Sequence, residues 1–420
     1  MMHSMKRHIL LVLPLAMLVA GAMAAAVFFI KPPLKDLSFE RVPFNAITGW
    51  YDDNMQEARP ALVKSCSHIL ALPDNRRISA SAIGGTAAEW RGFCDAVLAF
   101  EHKGSDSHTG ASRFRQLLER HTVAFAVSAG ANPEGIFTGY YEALLNGSFT
   151  RDETYRVPLY GKPADLVMVD LGAFRPDLKG RRIAGRVEGG RLLPYADRAA
   201  IDQGALDKKG KALIWVDSPV DAFFLHIQGS GRVRLQDGTW LRVGYAGQNG
   251  HSYYPIGRKL IESGEVAREN MSMQAIRRWM AANPDRAGGL MQQNKSYIFF
   301  RQLDGTHRGE IMSGPFGSAG VPLTPTRSLA VDRRHLPLHV PVFLSTLHPD
   351  PKGVAVPDKP FNRLMVAQDT GGAITGEIRG DVFWGFGEKA AEIAGRMASK
   401  GRYWILLPEP LAEKLESADD

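Results

Sequence analysis

The segment 364–385 reads LMVAQDTGGAITGEIRGDVFWG, in which two apolar runs flank a glycine-rich turn. Asp369 closes the first run and Asp381 opens the second, 12 residues later. A carboxylate held among apolar residues has its charged form disfavoured, and a carboxyl group that keeps its proton near neutral pH suits general acid catalysis. A turn cap or a salt bridge to Arg379 would explain one such aspartate. Two of them around one glycine turn favour a functional role.

The sequence also argues against an aspartic protease and against a metal site. Asp369-Thr370-Gly371 matches the turn of aspartic proteases, but that class needs two such turns or a homodimer, and this chain has a single Asp-Thr-Gly. The histidines are scattered and form no H-x-x-x-H pair on a predicted helix. We therefore expect no metal site and no cofactor.

A second candidate segment is 135–142, GIFTGYYE. On a strand, Tyr140 and Tyr141 would point to opposite faces, and aromatic rings with a polar tip suit stacking on sugar rings or bases. The alternative is that both tyrosines are core residues at a strand end.

Glycine and amide residues are concentrated in two further segments, 221–231 and 244–251. Glycine allows a ligand to approach the backbone, and side-chain amides both donate and accept hydrogen bonds, which suits neutral polyols. The alternative is ordinary turn chemistry. The candidate binding residues here are Gln228, Gly229, Ser230, Gln248 and Asn249.

Composition narrows the class of protein. The chain has 420 residues, is 45% apolar and 23% charged, and is therefore globular rather than disordered. Its 43 glycines and 25 prolines favour many turns and hence short strands. The net charge of +7 permits contact with an acidic surface but does not indicate a nucleic-acid partner.

The N-terminal region indicates export. Lys6 and Arg7 precede an uncharged run, Ile9–Ile30, which is long enough to cross a bilayer. It predicts an export segment over residues 1–30, which either stays as an inner-membrane anchor or is cleaved after Ala24, and both routes lead to the periplasm. The run has no nearby cysteine, so we expect no lipoprotein.

The two cysteines, Cys66 and Cys94, are then predicted to form a disulfide rather than two buried thiols.

Periodicity predicts an α+β protein that is mainly β. Residues 31–54 are expected to be a linker, residues 55–120 are predicted to be helical, and the tail after Pro410 is expected to fray. Further helices are predicted at 255–263, 272–282 and 388–399. Strands are predicted at 124–128, 135–141, 213–216, 222–227, 239–245, 297–300, 340–344, 364–368 and 403–407.

Taken in order, these motifs resemble those of the membrane-bound lytic murein transglycosylase A family. The resemblance runs from about 135 to 407 and rests on the segments 139–141, 228–231, 245–251, 270–277, 321–332 and 369–374, together with Asp381. Asp332, Asp369 and Asp381 resemble the three aspartates of that family's C-terminal module.

The resemblance implies a double-psi β-barrel domain, a second β-rich domain inserted into it, and a groove between them. The implied barrel comprises residues 31–142 and 296–420, including the helical N-terminal part, and the implied insert comprises 143–295. It also implies cleavage, without water, of the β-1,4 bond between N-acetylmuramic acid and N-acetylglucosamine in peptidoglycan, which leaves a 1,6-anhydro end.

Roles follow from the same resemblance. Asp381 would be the acid and then the base, and Asp369 would support it. Tyr140, Tyr141, Gln228, Gly229, Ser230, Gln248, Asn249 and Asp332 would line the groove, with Asp332 mostly structural. The partners would be peptidoglycan glycan strands, the membrane if the anchor is retained, and other cell-wall enzymes. Two alternatives stay open: an inactive peptidoglycan-binding module, and a water-dependent glycosidase that uses an aspartate pair.

Overall fold

The structure is a computed structural model that describes residues 37–79, 81–101, 107–178, 181–303, 314–350 and 356–419. The uncharged run at 9–30 lies outside the described residues. Within the described part, no helix is both long enough and apolar enough to cross a membrane.

Sixteen strands are found in the described residues: β1 Leu37–Val42, β2 Val123–Ala129, β3 Gly135–Ser148, β4 Val157–Tyr160, β5 Val167–Asp170, β6 Arg182–Glu188, β7 Arg191–Pro194, β8 Ala212–Val216, β9 Ser230–Leu235, β10 Trp240–Gln248, β11 Ile298–Gln302, β12 Ser328–Val331, β13 Pro341–His348, β14 Lys359–Asp369, β15 Arg379–Phe386 and β16 Ala398–Leu407. The α-helices of the same residues are α1 Arg59–Leu70, α2 Ala87–Ala99, α3 Ser107–His121, α4 Arg198–Asp202, α5 Pro219–Gln228, α6 Ile256–Glu262, α7 Met273–Ala282, α8 Pro284–Gln292, α9 Glu388–Ala394 and α10 Glu409–Asp419.

Six strands close into a ring. The pairings run β16–β13–β14–β12–β15–β3, and β3 returns to β16. β12 lies parallel to β14, and β15 lies parallel to β3, so the ring mixes parallel and antiparallel pairs. Closure leaves these six strands without a free edge, which removes exposed backbone donors and acceptors. The crossing pattern of a double-psi barrel stays a prediction.

The long strand β3 belongs to two sheets at once. Its first half pairs with β15 and β16 in the ring, while Ala143–Gly147 pairs with β9. β9 continues into β10 and β11, and β8 and β4 pair beside the end of β3. Residues 140–142 therefore lie where the ring passes into the second sheet. The domain bounds 31–142, 143–295 and 296–420 stay a proposal.

The helices α1, α2 and α3 cover one side of the ring. Trp50, Trp90, Phe114 and Phe343 are fully buried in one apolar cluster that spans the helices and the ring strands. A disulfide between Cys66 and Cys94 joins α1 to α2. α2 begins with a capping box, in which Thr86 and Glu89 satisfy each other's backbone N–H groups.

The α+β class is confirmed, because a strand-rich sheet is combined with helices on its faces. Four local predictions are wrong. Residues 222–227 are helical, within α5, because their apolar run has no alternation that would select a strand and residues 222–226 are all buried. Part of the expected linker forms β1, which pairs along β2.

The other two errors lie near the C-terminus. The helix predicted over 388–399 ends at Ala394, because the chain turns there and begins β16 at Ala398. The tail forms α10 rather than fraying, since Leu411 and Ala412 are buried against the core.

Candidate active site

Strand register brings Asp369 and Asp381 to the same level of the ring. Ala330 of β12 pairs with Asp369 on one side and with Asp381 on the other. Residues paired across neighbouring strands direct their side chains to the same face of the sheet. Asp381 in turn pairs with Thr138 of β3. The two aspartates therefore share one face, with the small side chain of Ala330 between them.

Asp381 is held by two neighbouring side chains. The Thr138 hydroxyl donates to Oδ1 of Asp381. Nη1 of Arg379 lies 2.5 Å from the same oxygen, and Nη2 of Arg379 donates to the Thr138 hydroxyl oxygen at 2.8 Å. The side chain of Asp381 is 16% exposed, so it remains within reach of a ligand. This cluster fixes the rotamer of the carboxyl group.

Asp369 accepts hydrogen bonds from a loop and from a tyrosine. Its Oδ1 accepts from the backbone N–H and the hydroxyl of Ser318 at 2.9 and 3.0 Å and from the N–H of Thr370 at 2.9 Å. Its Oδ2 accepts from the Tyr140 hydroxyl at 3.0 Å. Desolvation by burial raises the pKa of Asp369, and these hydrogen bonds oppose that rise only in part.

Tyr140 and Tyr141 point to opposite faces of β3, as the alternation of a strand predicts. The Tyr140 ring packs on Phe383 at 5.3 Å between centroids, on the face of the aspartates. Burial, followed by the charge of Asp369, raises the pKa of Tyr140 well above its usual range, so its hydroxyl stays a proton donor. Tyr141 is 5% exposed and directs its hydroxyl to the sulfur of Met273 on the other face.

The Gln228–Ser230 turn lies beside this part of β3. Oε1 of Gln228 accepts from the backbone N–H of Tyr141 at 3.1 Å. Gly229 ends α5 with a φ of 79°, which favours glycine. Ser230 lies level with Glu142, because the next residues, Ala143 and Gly231, pair in parallel. The Ser230 side chain is therefore on the same face as Tyr140.

The remaining predicted site residues are placed differently. Asn249 is 1% exposed, donates to the carbonyls of Ala196 and Lys295, and accepts from the N–H of Tyr297, so it ties three loops together. Gln248 ends β10 and pairs with Ile298.

Asp332 closes a turn beyond β12. Burial alone would raise the pKa of Asp332, but hydrogen bonds from Arg334 and from the N–H of Gly376 lower it. Asp332 is thus held as a structural carboxylate.

Two residues of the site were missed by the sequence reasoning. Thr138 was within a quoted segment but was not singled out, and Ser318 lies in a loop more than 50 residues before Asp369. Strand alternation could have identified Thr138, because it lies two residues before Tyr140 and therefore points to the same face of β3. No local signal identified Ser318.

A buried charge cluster lies next to the site. Glu142 is fully buried and pairs with Arg232 at 2.7 Å and Arg242 at 3.4 Å. The Arg232 guanidinium also lies 3.7 Å above the Phe386 ring. Because Phe386 pairs with Glu142 across β15 and β3, this cluster fixes the junction of the two sheets.

A cavity of about 660 Å³ lies on the opposite side of β3 from the aspartates. It is lined by Gly139, Tyr141, Gln228 and residues of α6 and α7, among others. Gly139 has no room for a side chain, since a Cβ would lie 2.7 Å from the Trp384 ring. Within the described residues there is no group of three or more acidic, histidine or cysteine side chains that could hold a metal ion.

Comparisons with known proteins give matches to two family models and to several named relatives. The family model of the MltA specific insert domain matches residues 136–301, and that of the 3D domain matches residues 327–407. Membrane-bound lytic murein transglycosylase A of Vibrio cholerae is 31% identical over 294 residues, which cover 69% of this chain and 70% of that protein. The chain belongs to the membrane-bound lytic murein transglycosylase A family.

Other family members extend the match. The Escherichia coli protein is 34% identical over 281 residues, 65% of this chain and 66% of its own length, so the chain matches just under two thirds of it. The crystal structure of a membrane-bound lytic murein transglycosylase from Agrobacterium tumefaciens is 36% identical, with a TM-score of 0.76, over 90% of this chain and 99% of that one. Escherichia coli MltA with bound chitohexaose is 26% identical, with a TM-score of 0.61, over 90% of this chain and 93% of that one.

The two matched domains divide the site between them. Asp332, Asp369 and Asp381 fall within the matched 3D domain, whereas Thr138, Tyr140 and the Gln228–Ser230 turn fall within the matched insert domain. In this chain, the face is therefore built from both matched segments.

Proposed function

We propose that this protein is a peptidoglycan lytic transglycosylase with Asp381 as its catalytic residue. It cleaves the β-1,4 bond between N-acetylmuramic acid and N-acetylglucosamine and leaves a 1,6-anhydromuramyl end. The observation that carries the proposal is the convergence of Asp381, Asp369 and Tyr140 on one face of the sheet. Family membership and the chitohexaose bound to the Escherichia coli relative support a glycan substrate.

A single carboxyl group is sufficient for this reaction. Protonated Asp381 gives its proton to the glycosidic oxygen as the bond to C1 of the muramyl residue breaks. The carboxylate that remains is stabilised by Arg379 and Thr138. It then takes the proton of the muramyl C6 hydroxyl as that oxygen attacks C1. Because the nucleophile belongs to the same sugar, its effective concentration is high and no water is required.

Asp369 and Tyr140 act as support. The hydroxyl of Tyr140 is committed to Asp369, so the pair forms one hydrogen-bonded unit beside Asp381. Its ring presents an apolar surface suited to a sugar face. Ser230 extends the same face toward the second sheet, which gives a glycan strand a continuous path across the junction.

The proposed periplasmic location is supported by the uncharged N-terminal run and by the names of the relatives, which are membrane-bound. Export by residues 1–30 would bring the described part to the periplasm, where peptidoglycan lies. Membrane attachment depends on whether the run is retained. Mass spectrometry of the mature N-terminus distinguishes an intact anchor from cleavage after Ala24.

The test is the product formed from isolated sacculi by the purified full-length protein. We expect muropeptides with anhydro ends by mass spectrometry. Asp381→Asn should lower the rate by several orders of magnitude at unchanged folding, while Asp177→Asn, an exposed aspartate paired with Arg175, should keep the wild-type rate. Full activity of the Asp381→Asn variant would overturn the assignment.

Products with ordinary reducing ends would instead indicate a water-dependent glycosidase that uses both aspartates. Saturable binding to sacculi without any turnover would indicate a binding module that has lost catalysis. The product assay therefore separates the three functions.

A further inference from the structure

The strands β5, β6 and β7 form a small sheet of their own, and one side of it is entirely apolar. Ile183 of β6 pairs with Val169 of β5. Val187 of β6 pairs with Leu192 of β7. Paired residues, and alternate residues of one strand, direct their side chains to the same side of a sheet. The residues on this side, the outer face, are Val167, Val169, Ile183, Gly185, Val187, Leu192 and Pro194.

The outer face is in contact with solvent although it carries no polar side chain. Val187 is 60% exposed and Ile183 is 44% exposed, and the other branched residues at its ends, Val167 and Leu192, are exposed as well. Phe174, in the connection between β5 and β6, is 75% exposed. Single exposed apolar residues are ordinary on a protein surface, whereas a contiguous set of them marks a binding surface.

The opposite side of the same sheet already has its partner within the protein. A Cβ at Gly247 of β10 would lie 3.3 Å from the sulfur of Met168, and Ala184 packs on the apolar cluster that contains Phe299. At the other end, residues 187–192 are all exposed, and the β6–β7 hairpin turns through two glycines with positive φ. The sheet is therefore covered on one side and uncovered on the outer face.

The charges around the outer face are mainly positive. Residues 167–194 contain six basic and three acidic side chains. Each acidic side chain has an arginine partner: Asp170 with Arg182, Asp177 with Arg175, and Glu188 with Arg186. Arg181 and Arg191 are exposed and make no ion pair with any residue that the structure describes. Two arginines thus remain available for an external anion.

An anionic lipid bilayer fits both properties of this surface. Aliphatic side chains can enter the boundary between headgroups and acyl chains, while arginines beside them attract anionic headgroups. A glycan fits less well, because sugar rings are bound by aromatic faces and by amides rather than by valine and isoleucine. A second copy of this chain would bring the same arginines of both copies together across a two-fold interface.

The N-terminal region also favours a bilayer. If the uncharged run Ile9–Ile30 is retained as an anchor, only six residues separate it from the start of β1 at Leu37. Six fully extended residues span at most about 22 Å. A protein tethered this closely meets the membrane surface at a high effective concentration, so a contact that is weak by itself becomes populated.

We propose that the outer face of β5–β7, together with Phe174, docks on the surface of a bilayer that contains anionic phospholipids. Val187 and Ile183 enter the interface, and Arg181 and Arg191 bind headgroup phosphates. This contact goes beyond the proposed cleavage of glycan strands and does not depend on it.

The experiment measures quenching of tryptophan fluorescence by brominated acyl chains, which reports insertion into the bilayer. Full-length Phe174→Trp is reconstituted in vesicles of brominated phosphatidylcholine with and without phosphatidylglycerol, and the wild type gives the background of its seven tryptophans. Phe149→Trp is the matched control, because Phe149 is 54% exposed just after β3 and lies outside the outer face. We expect quenching of the added tryptophan in Phe174→Trp but not in Phe149→Trp, and more of it in the anionic vesicles.

Two double variants, each combined with Phe174→Trp, test the two parts of the surface. Arg181→Gln/Arg191→Gln should lower the ratio of docked to undocked protein by about 30-fold, the contribution of two basic side chains near an anionic membrane. Ile183→Ser/Val187→Ser removes apolar contact and should also reduce quenching. Leu98→Ser is the control for it, because Leu98 is exposed on α2, and it should leave quenching unchanged. Circular dichroism verifies folding, and the arginine variant, which changes only exposed side chains, still tests the proposal if the serine variant unfolds.

Four results would overturn the proposal. The first is equal quenching of Phe174→Trp and Phe149→Trp, and the second is quenching that neither folded double variant changes. The third is a wild type that sediments as a dimer in detergent and as a monomer after Ile183→Ser/Val187→Ser, which would assign the outer face to a second copy. The fourth is weaker binding of that variant to isolated sacculi, which would assign the face to peptidoglycan.

Cleavage of sacculi by the detergent-solubilised protein is measured in parallel and should be the same in the wild type and in both double variants. If the wild type cleaves sacculi but its outer face does not dock, only this inference is wrong. If the outer face docks but nothing is cleaved, only the proposed function is wrong.

Discussion

Replacing Glu142 with glutamine tests whether the buried charge cluster holds the two sheets together. The Glu142 carboxylate is 0% exposed, and its partners Arg232 and Arg242 have side chains that are 3% and 2% exposed. Glutamine keeps the shape but removes the negative charge, so the buried ion pairs of Glu142 with Arg232 and Arg242 are lost. Breaking a buried ion pair by removing one partner costs about 3–5 kcal/mol, a large part of the roughly 5–15 kcal/mol that stabilises a typical domain.

Urea unfolding followed by circular dichroism measures this loss. We expect the free energy of unfolding of Glu142→Gln to fall by about 3–5 kcal/mol. The matched control is Glu134→Gln, because Glu134 is exposed just before β3 and should change stability by less than about 0.5 kcal/mol. Without urea and at equal concentrations of folded protein, we also expect Glu142→Gln to cleave sacculi more slowly than the wild type. The reason is that Tyr140 lies two residues before Glu142 on the same face of β3.

A loss below about 1 kcal/mol for Glu142→Gln would refute this reasoning. It would mean that other groups neutralise the two arginines, and that the junction does not depend on the carboxylate. An equal loss in both variants would indicate a general effect of acidic residues near β3 rather than a buried ion pair.

Three further predictions concern stability. The free energy of unfolding of Cys66→Ala/Cys94→Ala in urea should be about 3.5 kcal/mol lower than that of the wild type, because the unfolded chain regains the entropy of a closed loop spanning 28 residues. The reduced wild type should lose a similar amount, and unchanged stability of both would contradict this prediction. Because burial raises the pKa of Asp369, ionising this carboxyl group in the folded protein lowers the stability as the pH rises above the usual pKa of 3.8. Asp369→Asn should therefore be more stable than the wild type at pH 7 and equally stable below pH 3.8. A stability difference that does not depend on pH would argue against this prediction. Burial, followed by the nearby charge of His68, lowers the pKa of His339 to about 4, so the free energy of unfolding should be highest above pH 6.5 and fall by about 3 kcal/mol toward pH 4. His339→Asn, which tolerates the local φ of 74°, should flatten that part of the pH profile, and an unchanged profile would exclude His339.

Much of the candidate site could be predicted from local patterns. The apolar runs around Asp369 and Asp381 form β14 and β15, and the alternation of Tyr140 and Tyr141 is that of a strand. These predictions depend on period and on turn residues, which act over a few positions of the chain.

The error at 222–227 shows the limit of such patterns. A continuous apolar run shows neither the helical nor the strand period, so its length and the signals at its ends must decide between the two. Those signals were present: Ser218 caps the helix through the N–H of Asp221, Pro219 stands at its first turn, and Gly229 ends it.

The sequence by itself determined the α+β class, the aspartate pair, the two cysteines and the resemblance to a family of peptidoglycan-cleaving enzymes. Only the tertiary structure decided which residues meet these aspartates, because strands 50 to more than 240 residues apart become neighbours only when the ring closes. It joined Thr138 to Asp381 and Ser318 to Asp369, and it showed which of the two tyrosines of β3 lies on the aspartate face. Spacing along a chain fixes the face of a strand, whereas the partner across that face is fixed by the pairing of distant strands.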